Sequence, residues 1–543
     1  MKNILIMVLL FFSTLMHSQI VDLQKLSSGR LFRSNVLQNR QTDDVYGYFY
    51  IFFDDIIDKY HTQYSYVLLD KNLNKVTSGK FVEVKGRAVA ANKISVFYRD
   101  NYITIKFYSQ WQVFNIYENT SYRVLDLKEN KLSEPFTLDD NANKIYGLDT
   151  KILEDPFTFS YNANPFGYSI NTPLKYSTDN YFYPDYIPTA EDKTVPNKLH
   201  FLDSKLDPIW FYEYTKTEGN NKYIDITFSN SKNNTDDLVA IKQYKGKKNL
   251  KELAKGKRSN SYLFFNKDTG KLLNEFSPFG RQQANGITAK EVDNTTIIQK
   301  TKGKVTFINR IMTDKEKKFT ANNDKIIGLS KVDYDITAGK VINRNFFLWE
   351  QLSQYLSIDQ FGYVREKGEP NSYLYLHDAL LQSNGNLLLI LEQYKPISVS
   401  IIKHWGVKIN DLFFVELDPK MQVVNYKRIS KESSKHTNLN QIVGLDAALQ
   451  YNAFDYSGYQ DLGNDNYTFF YFNKQKPEGG GKKIWVIGII KYSNGTFTEE
   501  KLNLKGKDGS ELMISPAKNG YILITEEFKD KTKGIEVRLE KIN

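Results

Sequence analysis

The sequence predicts an all-β fold. Helical periodicity is scarce along the 543 residues, whereas short runs of Tyr, Phe, Ile, Val and Leu cut by turn residues recur throughout. A parallel α/β fold would need helical segments of about 10–15 residues between its strands, and the chain does not offer them. Apolar residues make up 41% of the chain, which is enough for a large core. The clearest strand signals are residues 45–53, 64–69, 94–98, 102–107, 387–391, 411–415, 484–490 and 521–524.

The N-terminal residues predict export. Lys2 precedes an apolar run over residues 4–12, and small Ser18 stands before the predicted cut. A helix needs about 20 residues to cross a bilayer, so residues 4–16 are too few, and a signal peptide over residues 1–18 is favoured over a buried N-terminal strand. No other stretch is apolar enough to span a membrane. We therefore expect a periplasmic or extracellular protein.

The absence of Cys excludes several chemistries. Disulfides, iron–sulfur clusters, cysteine nucleophiles and an N-terminal lipid anchor all need a Cys, so the chain is not expected to be a lipoprotein. An exported fold without disulfides must be stable from packing alone.

A strand–turn–strand pattern recurs seven times, at a mean spacing of about 70 residues. Each copy runs from a strand into a polar turn near an Asp, Asn or Gly and then into a second strand. Long periods with about four strands each are typical of propeller blades. The seven turns lie at residues 69–76, 125–132, 202–207, 266–272, 335–341, 417–421 and 492–497.

The two ends of the chain leave incomplete blades. Residues 512–542 offer about three strands, and residues 20–24 precede any complete blade. We therefore predict a single β-propeller domain over residues 19–543, with seven or eight four-stranded blades and a ring closed by pairing of the N- and C-terminal strands. Two tandem β-sandwich domains are the alternative fold.

Asn384-Gly385 and Asn519-Gly520, each flanked by apolar runs, predict hairpins with two-residue type I′ turns. The strand after the first turn, residues 387–391, is apolar at every position. It is therefore predicted to lie between two neighbouring blades, with both faces covered.

The first of these hairpins carries a candidate site. A two-residue turn at Asn384-Gly385 would place His377 opposite Glu392 and Asp378 opposite Leu391. Such a His–carboxylate pair could act as an acid/base unit. The favoured interpretation is a structural cross-strand pair, which contributes roughly a few tenths to 1 kcal/mol.

The same stretch carries a resemblance. His377-Asp378-Ala379-Leu380, Asn384-Gly385-Asn386 and Glu392-Gln393-Tyr394-Lys395, together with the signal peptide, resemble an uncharacterised family of exported bacterial propeller-like proteins. The likeness extends over roughly residues 373–396. It implies no reaction, cofactor or catalytic residue.

A basic insertion is predicted over residues 242–258, with eight Lys or Arg and one acidic residue. Such a loop can attract an anionic glycan or an acidic protein face, although a solvated Lys-rich insertion is the simpler interpretation. The candidate binding residues are Lys247, Lys248, Lys255, Lys257 and Arg258.

Aromatic residues of a second segment form another candidate surface. Tyr181, Tyr183 and Tyr186 fall in a long loop-like region, residues 162–196. Exposed rings there could recognise a ligand, and a packed loop covering one end of the propeller is equally compatible.

No catalytic or metal-binding signature stands out. The five His of the predicted mature chain are scattered, and the acidic clusters lack the spacing of a Ca²⁺ loop. We expect no cofactor and no metal. The sequence thus favours a non-catalytic binding or scaffolding module of the cell envelope or exterior, with an envelope protein or anionic glycan as partner and no nucleic acid. The alternatives are a hydrolase or lyase of extracellular polysaccharide, and an envelope surface protein held by its basic loops.

Overall fold

The structure is a computed structural model. It describes residues 20–39, 44–84, 90–99, 101–111, 116–138, 145–146, 175–176, 181–184, 197–202, 205, 208–214, 217–218, 222–228, 237–246, 260–266, 268–278, 281–284, 286–313, 326–366, 369–398, 405–439, 453–476, 483–504, 510–528 and 534–542. Most of these residues form strands joined by turns, and the helical segments among them are two short 3₁₀ turns at Leu23–Lys25 and Trp349–Leu352, so the all-β prediction is confirmed. Across these ranges, no helix has the length and apolar character needed to span a bilayer.

In the described residues, the strands form eight antiparallel sheets of four to six strands, which follow one another along the chain, and one separate two-stranded pair. The chain begins with β1 (Ile20–Asp22), which belongs to the last sheet. Sheet 1 contains β2 (Arg30–Asn39), β3 (Asp44–Ile56), β4 (His61–Asp70) and β5 (Lys75–Val84). Sheet 2 contains β6 (Ala90–Arg99), β7 (Tyr102–Trp111), β8 (Ile116–Asp126) and β9 (Lys131–Leu132). A separate two-stranded pair follows, β10 (Thr137–Leu138) with β11 (Ile145–Tyr146).

Sheets 3, 4 and 5 follow next along the chain. Sheet 3 contains β12 (Lys175–Tyr176), β13 (Tyr181–Pro184), β14 (Asn197–Leu202) and β15 (Pro208–Tyr214). Sheet 4 contains β16 (Thr217–Glu218), β17 (Lys222–Phe228), β18 (Asp237–Gly246), β19 (Asn260–Asn266) and β20 (Leu272–Phe276). Sheet 5 contains β21 (Arg281–Ala284), β22 (Ile287–Thr301), β23 (Lys304–Thr313), β24 (Ile326–Asp335) and β25 (Lys340–Leu348).

The last three sheets include the largest one. Sheet 6 contains β26 (Tyr363–Glu366), β27 (Glu369–Leu381), β28 (Leu387–Ser398), β29 (Trp405–Leu417) and β30 (Val423–Ile429), and β31 (Ser434–Leu439) also pairs with β29. Sheet 7 contains β32 (Tyr456–Asp461), β33 (Tyr467–Gln475), β34 (Ile484–Ser493) and β35 (Thr496–Leu504). Sheet 8 contains β36 (Ser510–Pro516), β37 (Tyr521–Phe528) and β38 (Ile535–Lys541), with β1 alongside β38.

The middle strands of a sheet bury both faces. In β28, residues 387–391 are all fully buried, as their apolar sequence predicts. Leu387, Leu389 and Leu391 pack against sheet 5, whereas Leu388 and Ile390 pack against sheet 7. Because successive side chains of a strand point to opposite faces, one apolar run holds three sheets together.

The same face-to-face packing joins the other sheets. Hydrophobic clusters link sheet 1 to sheets 8 and 2, sheet 5 to sheets 4 and 6, and sheet 7 to sheets 6 and 8. Sheet 3 contacts sheet 4 through the ring of Tyr212, which meets the ring of Phe265 edge-on at 4.9 Å.

Each of the seven predicted turns lies between the last two strands of the main path of its sheet, from β4–β5 to β34–β35. Local chemistry explains this recurrence. The Asp70 carboxylate accepts from the amides of Asn72 and Asn74, and Leu73 takes a φ of 68°. Asp418 and Met421 repeat this arrangement in sheet 6, with a φ of 65° at Met421. A side-chain acceptor followed by a left-handed residue closes a tight turn wherever it occurs.

We call the end of the sheets that carries these seven turns the turn end, and the opposite end the connection end. At the turn end, side chains reach from each sheet to the next. Two of these contacts are short: the Asn425 amide lies 2.6 Å from the Gly495 carbonyl oxygen, and the Lys518 ammonium 2.7 Å from the Asn72 side-chain oxygen. The eight pairs, from the sheet 1–2 junction to the sheet 8–1 junction, are Thr77–Asn130, Lys205–Tyr102, Trp210–Gly270, Asn274–Ile336, Asn345–Pro419, Asn425–Gly495, Gln460–Tyr521 and Lys518–Asn72.

Sheet 8 unites the two ends of the chain. β1 pairs antiparallel with β38, so that Ile20, Val21 and Asp22 lie opposite Arg538, Val537 and Glu536. Leu23, fully buried just after β1, packs with Val537 in the core between sheets 8 and 1. The first residues of the described chain thus occupy the outer edge of the last sheet.

This pairing predicts a cross-link. Directly opposed residues of an antiparallel pair have Cα atoms about 4.5–5.5 Å apart, which suits a disulfide. In a chain without Cys, Val21→Cys with Val537→Cys should therefore oxidise to one intramolecular bond, seen by gel mobility and by mass. We expect the bond to raise the free energy of unfolding by about 2–4 kcal/mol. Val21→Cys with Val424→Cys is the matched control and should stay reduced. Equal cross-linking of both pairs, or of neither, would contradict the β1–β38 pairing.

Candidate functional site

His377 and Glu392 do meet, as the sequence predicts. The Nε2 atom of His377 lies 2.9 Å from Oε2 of Glu392, and the two side chains project from neighbouring strands β27 and β28. The predicted register is wrong, however. Glu392 lies opposite Tyr375, Leu391 opposite Leu376, and Asp378 opposite Ile390.

Two local features cause the difference in register. The turn is a three-residue loop, closed by the Gln382 amide on the Asn386 carbonyl at 2.8 Å, with a φ of 86° at Gly385. This is a turn with a bulge at its glycine, the commonest alternative to the two-residue type I′ turn. His377 is then the extra residue of a β-bulge between Leu376 and Asp378, which turns its side chain toward Glu392.

Lys431 and Asp455, which the sequence did not indicate, complete the site. The Lys431 ammonium lies 3.2 Å from Oε1 of Glu392 and forms a second, shorter ion pair with Asp455. The side chains of Lys431 and Glu392 are fully buried, and that of Asp455 is 5% exposed. One ammonium therefore bridges two carboxylates, one from sheet 6 and one that immediately precedes β32 of sheet 7.

Hydrogen bonds from sheet 7 fix the two carboxylates. The Asn473 side-chain amide donates to Asp455 at 3.2 Å, and the Tyr456 backbone amide donates to Glu392 at 3.3 Å. The Tyr456 hydroxyl donates to Asp378 at 3.0 Å. Asp378, predicted to face Leu391 across the hairpin, thus bonds across the interface between the two sheets.

Aromatic rings enclose His377. The rings of Tyr375, Phe454 and Tyr456 each lie 4.8 Å from its imidazole, and its side chain is 11% exposed. A second imidazole, that of His436 on β31, lies in the same region, and burial lowers its pKa. We call the set of His377, Glu392, Lys431 and Asp455 the buried ion cluster.

Burial and charge act in opposite directions on this cluster. Burial alone would raise the pKa of Glu392 and lower that of Lys431. Lys431 and His377 together outweigh burial at Glu392 and lower its pKa, and Glu392 and Asp455 outweigh it at Lys431 and raise its pKa. At Asp455 burial dominates and raises the pKa to about 6. One ammonium cannot fully compensate two buried carboxylates, and Asp455 is the one that holds a proton more readily.

This arrangement connects structural elements and leaves little room for a substrate. Its charged atoms are paired with one another and face the interface between sheets 6 and 7. In the described ranges, no group of three or more His, Asp or Glu side chains is placed to hold a metal ion. The geometry supports the structural interpretation of the His377–Glu392 pair over the acid/base one.

Three further buried networks share one composition. In each, a buried Glu accepts hydrogen bonds from a Ser and an Arg. The Arg–Glu distances are 2.5 Å, 2.6 Å and 2.8 Å. A sequence signal for them is lacking because each Glu lies on a different strand from its Ser and its Arg. The three sets are Glu83 with Ser121 and Arg123, Glu291 with Ser330 and Arg344, and Glu526 with Ser510 and Arg538.

The other predicted binding residues have mixed outcomes. Tyr181 and Tyr183 lie in strand β13, opposite Leu202 and His200, so the prediction of a loop is wrong for residues 181–184. A run of aromatic residues favours a strand, and the nearby prolines obscured this signal. Residues 242–246 likewise belong to β18 and not to a basic insertion. Tyr186, Lys247, Lys248, Lys255, Lys257 and Arg258 lie outside the described residues.

A family model described as a family of unknown function (DUF6770) matches residues 1–543. The chain belongs to this family. The resemblance to an uncharacterised family, inferred from the stretch that begins at His377, is thereby confirmed. A search of curated proteins gave no match to this family member.

Several solved structures are similar to this family member at low identity and low TM-score. An ulvan lyase of polysaccharide lyase family PL25, bound to a GlcA–Rha3S ligand, is 8% identical over 84% of this chain and 95% of its own, with a TM-score of 0.37. The β-propeller domain of the trilobed protease from Pyrococcus furiosus is 8% identical over 84% and 97%, with a TM-score of 0.30. Prolyl oligopeptidase B from Galerina marginata is 8% identical over 92% and 55%, with a TM-score of 0.35. Likeness at this level says nothing about activity.

The buried ion cluster predicts an asymmetric response to lysine removal. Lys431→Met leaves Glu392 and Asp455 buried without their cation, and should lower the free energy of unfolding by about 3–5 kcal/mol. Lys483→Met is the matched control, because Lys483 is 42% exposed and pairs with Glu432 at the surface. We expect it to cost below about 1 kcal/mol. Urea denaturation measures both, and equal losses would contradict the buried pairing.

Asp455 predicts a pH dependence of stability. Its pKa is 3.8 in an unperturbed chain and about 6 in the fold. Between these values the folded protein keeps a proton that the unfolded chain has released, so this group's contribution to the free energy of unfolding falls as pH rises from about 4 to about 6. Asp455→Asn should remove this fall, whereas exposed Asp268→Asn should not. The measurement is urea denaturation at several pH values, and parallel curves for wild type and Asp455→Asn would contradict the assignment.

Proposed function

We propose that this protein is an exported, non-catalytic β-propeller of eight blades, which serves as a binding or scaffolding module in the bacterial cell envelope or outside the cell. The observation that carries the proposal is the buried ion cluster. Its ionisable side chains join sheets 6 and 7, and its carboxylates and ammonium are 0–5% exposed.

The order of contacts supports a closed ring of blades. Turn-end contacts join all eight consecutive sheets and return from sheet 8 to sheet 1. In a β-sandwich each sheet covers a single partner, whereas sheet 6 packs on both sheet 5 and sheet 7. Radial repetition leaves only short edges exposed and gives a rigid disc on which connecting segments can vary.

The N-terminal sequence supports export. Residues 1–18 have the charged start, apolar run and small-residue cut of a signal peptide. The chain has no Cys, so its fold does not depend on an oxidising compartment. Export would instead bring the protein to a partner outside the cytoplasm. A protein in this location can reach an envelope protein or an extracellular glycan.

The proposal is tested by location and turnover together. The full chain with a C-terminal tag should be recovered from the periplasm or medium of a bacterial host, cut after Ser18, as measured by intact mass. Leu9→Arg with Leu10→Arg breaks the apolar run and is the matched control, which should stay uncut inside the cell. The purified mature protein should release no product from a panel of anionic and neutral polysaccharides, followed by size-exclusion chromatography.

Two outcomes would overturn the proposal. Recovery of an uncut wild-type chain from the cytoplasm would contradict the proposed export. Depolymerisation of any glycan in the panel would instead favour the hydrolase or lyase interpretation, with a site at one mouth of the ring.

A further inference from the structure

A small cavity lies between sheets 5 and 6, and no residue of the buried ion cluster lines it. Its volume is about 10 Å³, which holds roughly one water-sized particle. Arg310 on β23 and Leu329 on β24 line it from sheet 5, and Tyr373 and Leu376 on β27 line it from sheet 6. A ligand in this cavity would therefore contact two neighbouring sheets at once.

Arg310 is the charged residue among the described residues that line the cavity. It is 7% exposed, and its guanidinium carbon lies 5.8 Å from the centre of the Tyr375 ring. Burial lowers the pKa of Arg310, but an arginine stays protonated in proteins. A guanidinium has five N–H donors in one plane. It can therefore serve contacts within the fold and a ligand in the cavity at the same time.

The other lining residues favour an anion over a water molecule. They include no carboxylate and no side-chain amide. Trp349 donates its indole N–H to the Ile326 carbonyl oxygen at 3.0 Å, and the Tyr373 hydroxyl donates to the Tyr363 hydroxyl at 3.4 Å. A buried water needs about two to four polar partners, including acceptors for its own hydrogens. A monatomic anion needs donors only, so a guanidinium beside apolar walls suits it better.

The segment between sheets 5 and 6 closes the cavity near the surface. Phe361 and Gly362 line it there, just before β26, and Phe361 and Tyr373 are partly exposed. Gly362 has a φ of 76°, and a Cβ atom at this position would lie 3.1 Å from the Trp349 ring. The glycine thus lets the chain pass close to Trp349, which keeps the cavity to the size of a single particle.

We propose that this cavity binds one monatomic anion, chloride or bromide, at the guanidinium of Arg310. The anion would accept charge-assisted hydrogen bonds, which are among the stronger ones in proteins. Because residues of both sheets surround it, it would stabilise the junction between sheets 5 and 6. This inference goes beyond the proposed function and does not depend on it, since a halide in any surrounding solution would reach the site.

The test measures the response of thermal unfolding to chloride. Sodium gluconate, whose anion is too large for the cavity, is replaced stepwise by sodium chloride at constant ionic strength. Arg310→Met removes the donors, and Leu376→Phe fills the cavity but keeps Arg310. Arg33→Met is the matched control, because Arg33 is exposed on β2 and does not line the cavity. Crystals of the wild type soaked in sodium bromide locate the anion by its anomalous scattering.

We expect the wild-type Tm to rise by about 1–2 °C once chloride reaches roughly ten- to a hundredfold its Kd, because the anion binds the folded state alone. Arg310→Met and Leu376→Phe should lose this rise, whatever their Tm in gluconate, and Arg33→Met should keep it. An anomalous bromide peak should lie in the cavity beside Arg310.

Three results would overturn the inference. The first is a Tm of the wild type that does not change with chloride, or that changes equally in all three variants, which is a general effect of the salt. The second is a rise that Leu376→Phe retains, which places the anion outside the cavity. The third is a cavity without a bromide peak, which leaves water as its occupant. If Arg310→Met does not fold, Leu376→Phe and the bromide peak decide. None of these results bears on export or on the absence of turnover.

Discussion

Burial of both faces of the middle strands is the constraint on which the rest of this structure depends. A strand such as residues 387–391, fully buried throughout, is stable only between two other sheets. At roughly 25 cal/mol per Å² of apolar surface removed from water, a sheet with one face uncovered would lose much of its stabilisation. Each sheet thus needs two neighbours, and the first and last parts of the chain meet this need by sharing sheet 8.

Stacked sheets leave polar side chains little access to water, which explains the composition of the buried networks. Every buried Glu of the three Ser–Glu–Arg sets receives both a neutral and a cationic donor. Glu83 and Glu291 still have raised pKa values, because burial outweighs their partners. Such networks add modestly to stability, but a wrong pairing of strands would leave a charge unpaired at a cost of several kcal/mol.

The sequence could predict those features that depend on residues close together in the chain. The turn at Asp70 could be located because the acceptor, the left-handed residue and the flanking strands lie within a few residues. The register around His377 could not, since it depends on a three-residue loop and a bulge that the Asn-Gly dipeptide does not specify. Lys431 and Asp455 were missed because they lie 39 and 63 positions from Glu392 along the chain. Lys431 follows β30 of the same sheet, whereas Asp455 reaches the cluster through the packing of sheet 7 on sheet 6.

The two ends of the sheets meet different requirements. At the turn end, tight turns and side chains such as Asn425 and Lys518 hold each sheet to the next, so substitution there is constrained by the geometry of two sheets at once. The connection end has no such repeated contact among the described residues, and its segments differ in length from 4 to 13 residues. Among the described strands, β31 adds a further pairing to the main path of sheet 6 at this end, along residues 405–409 of β29.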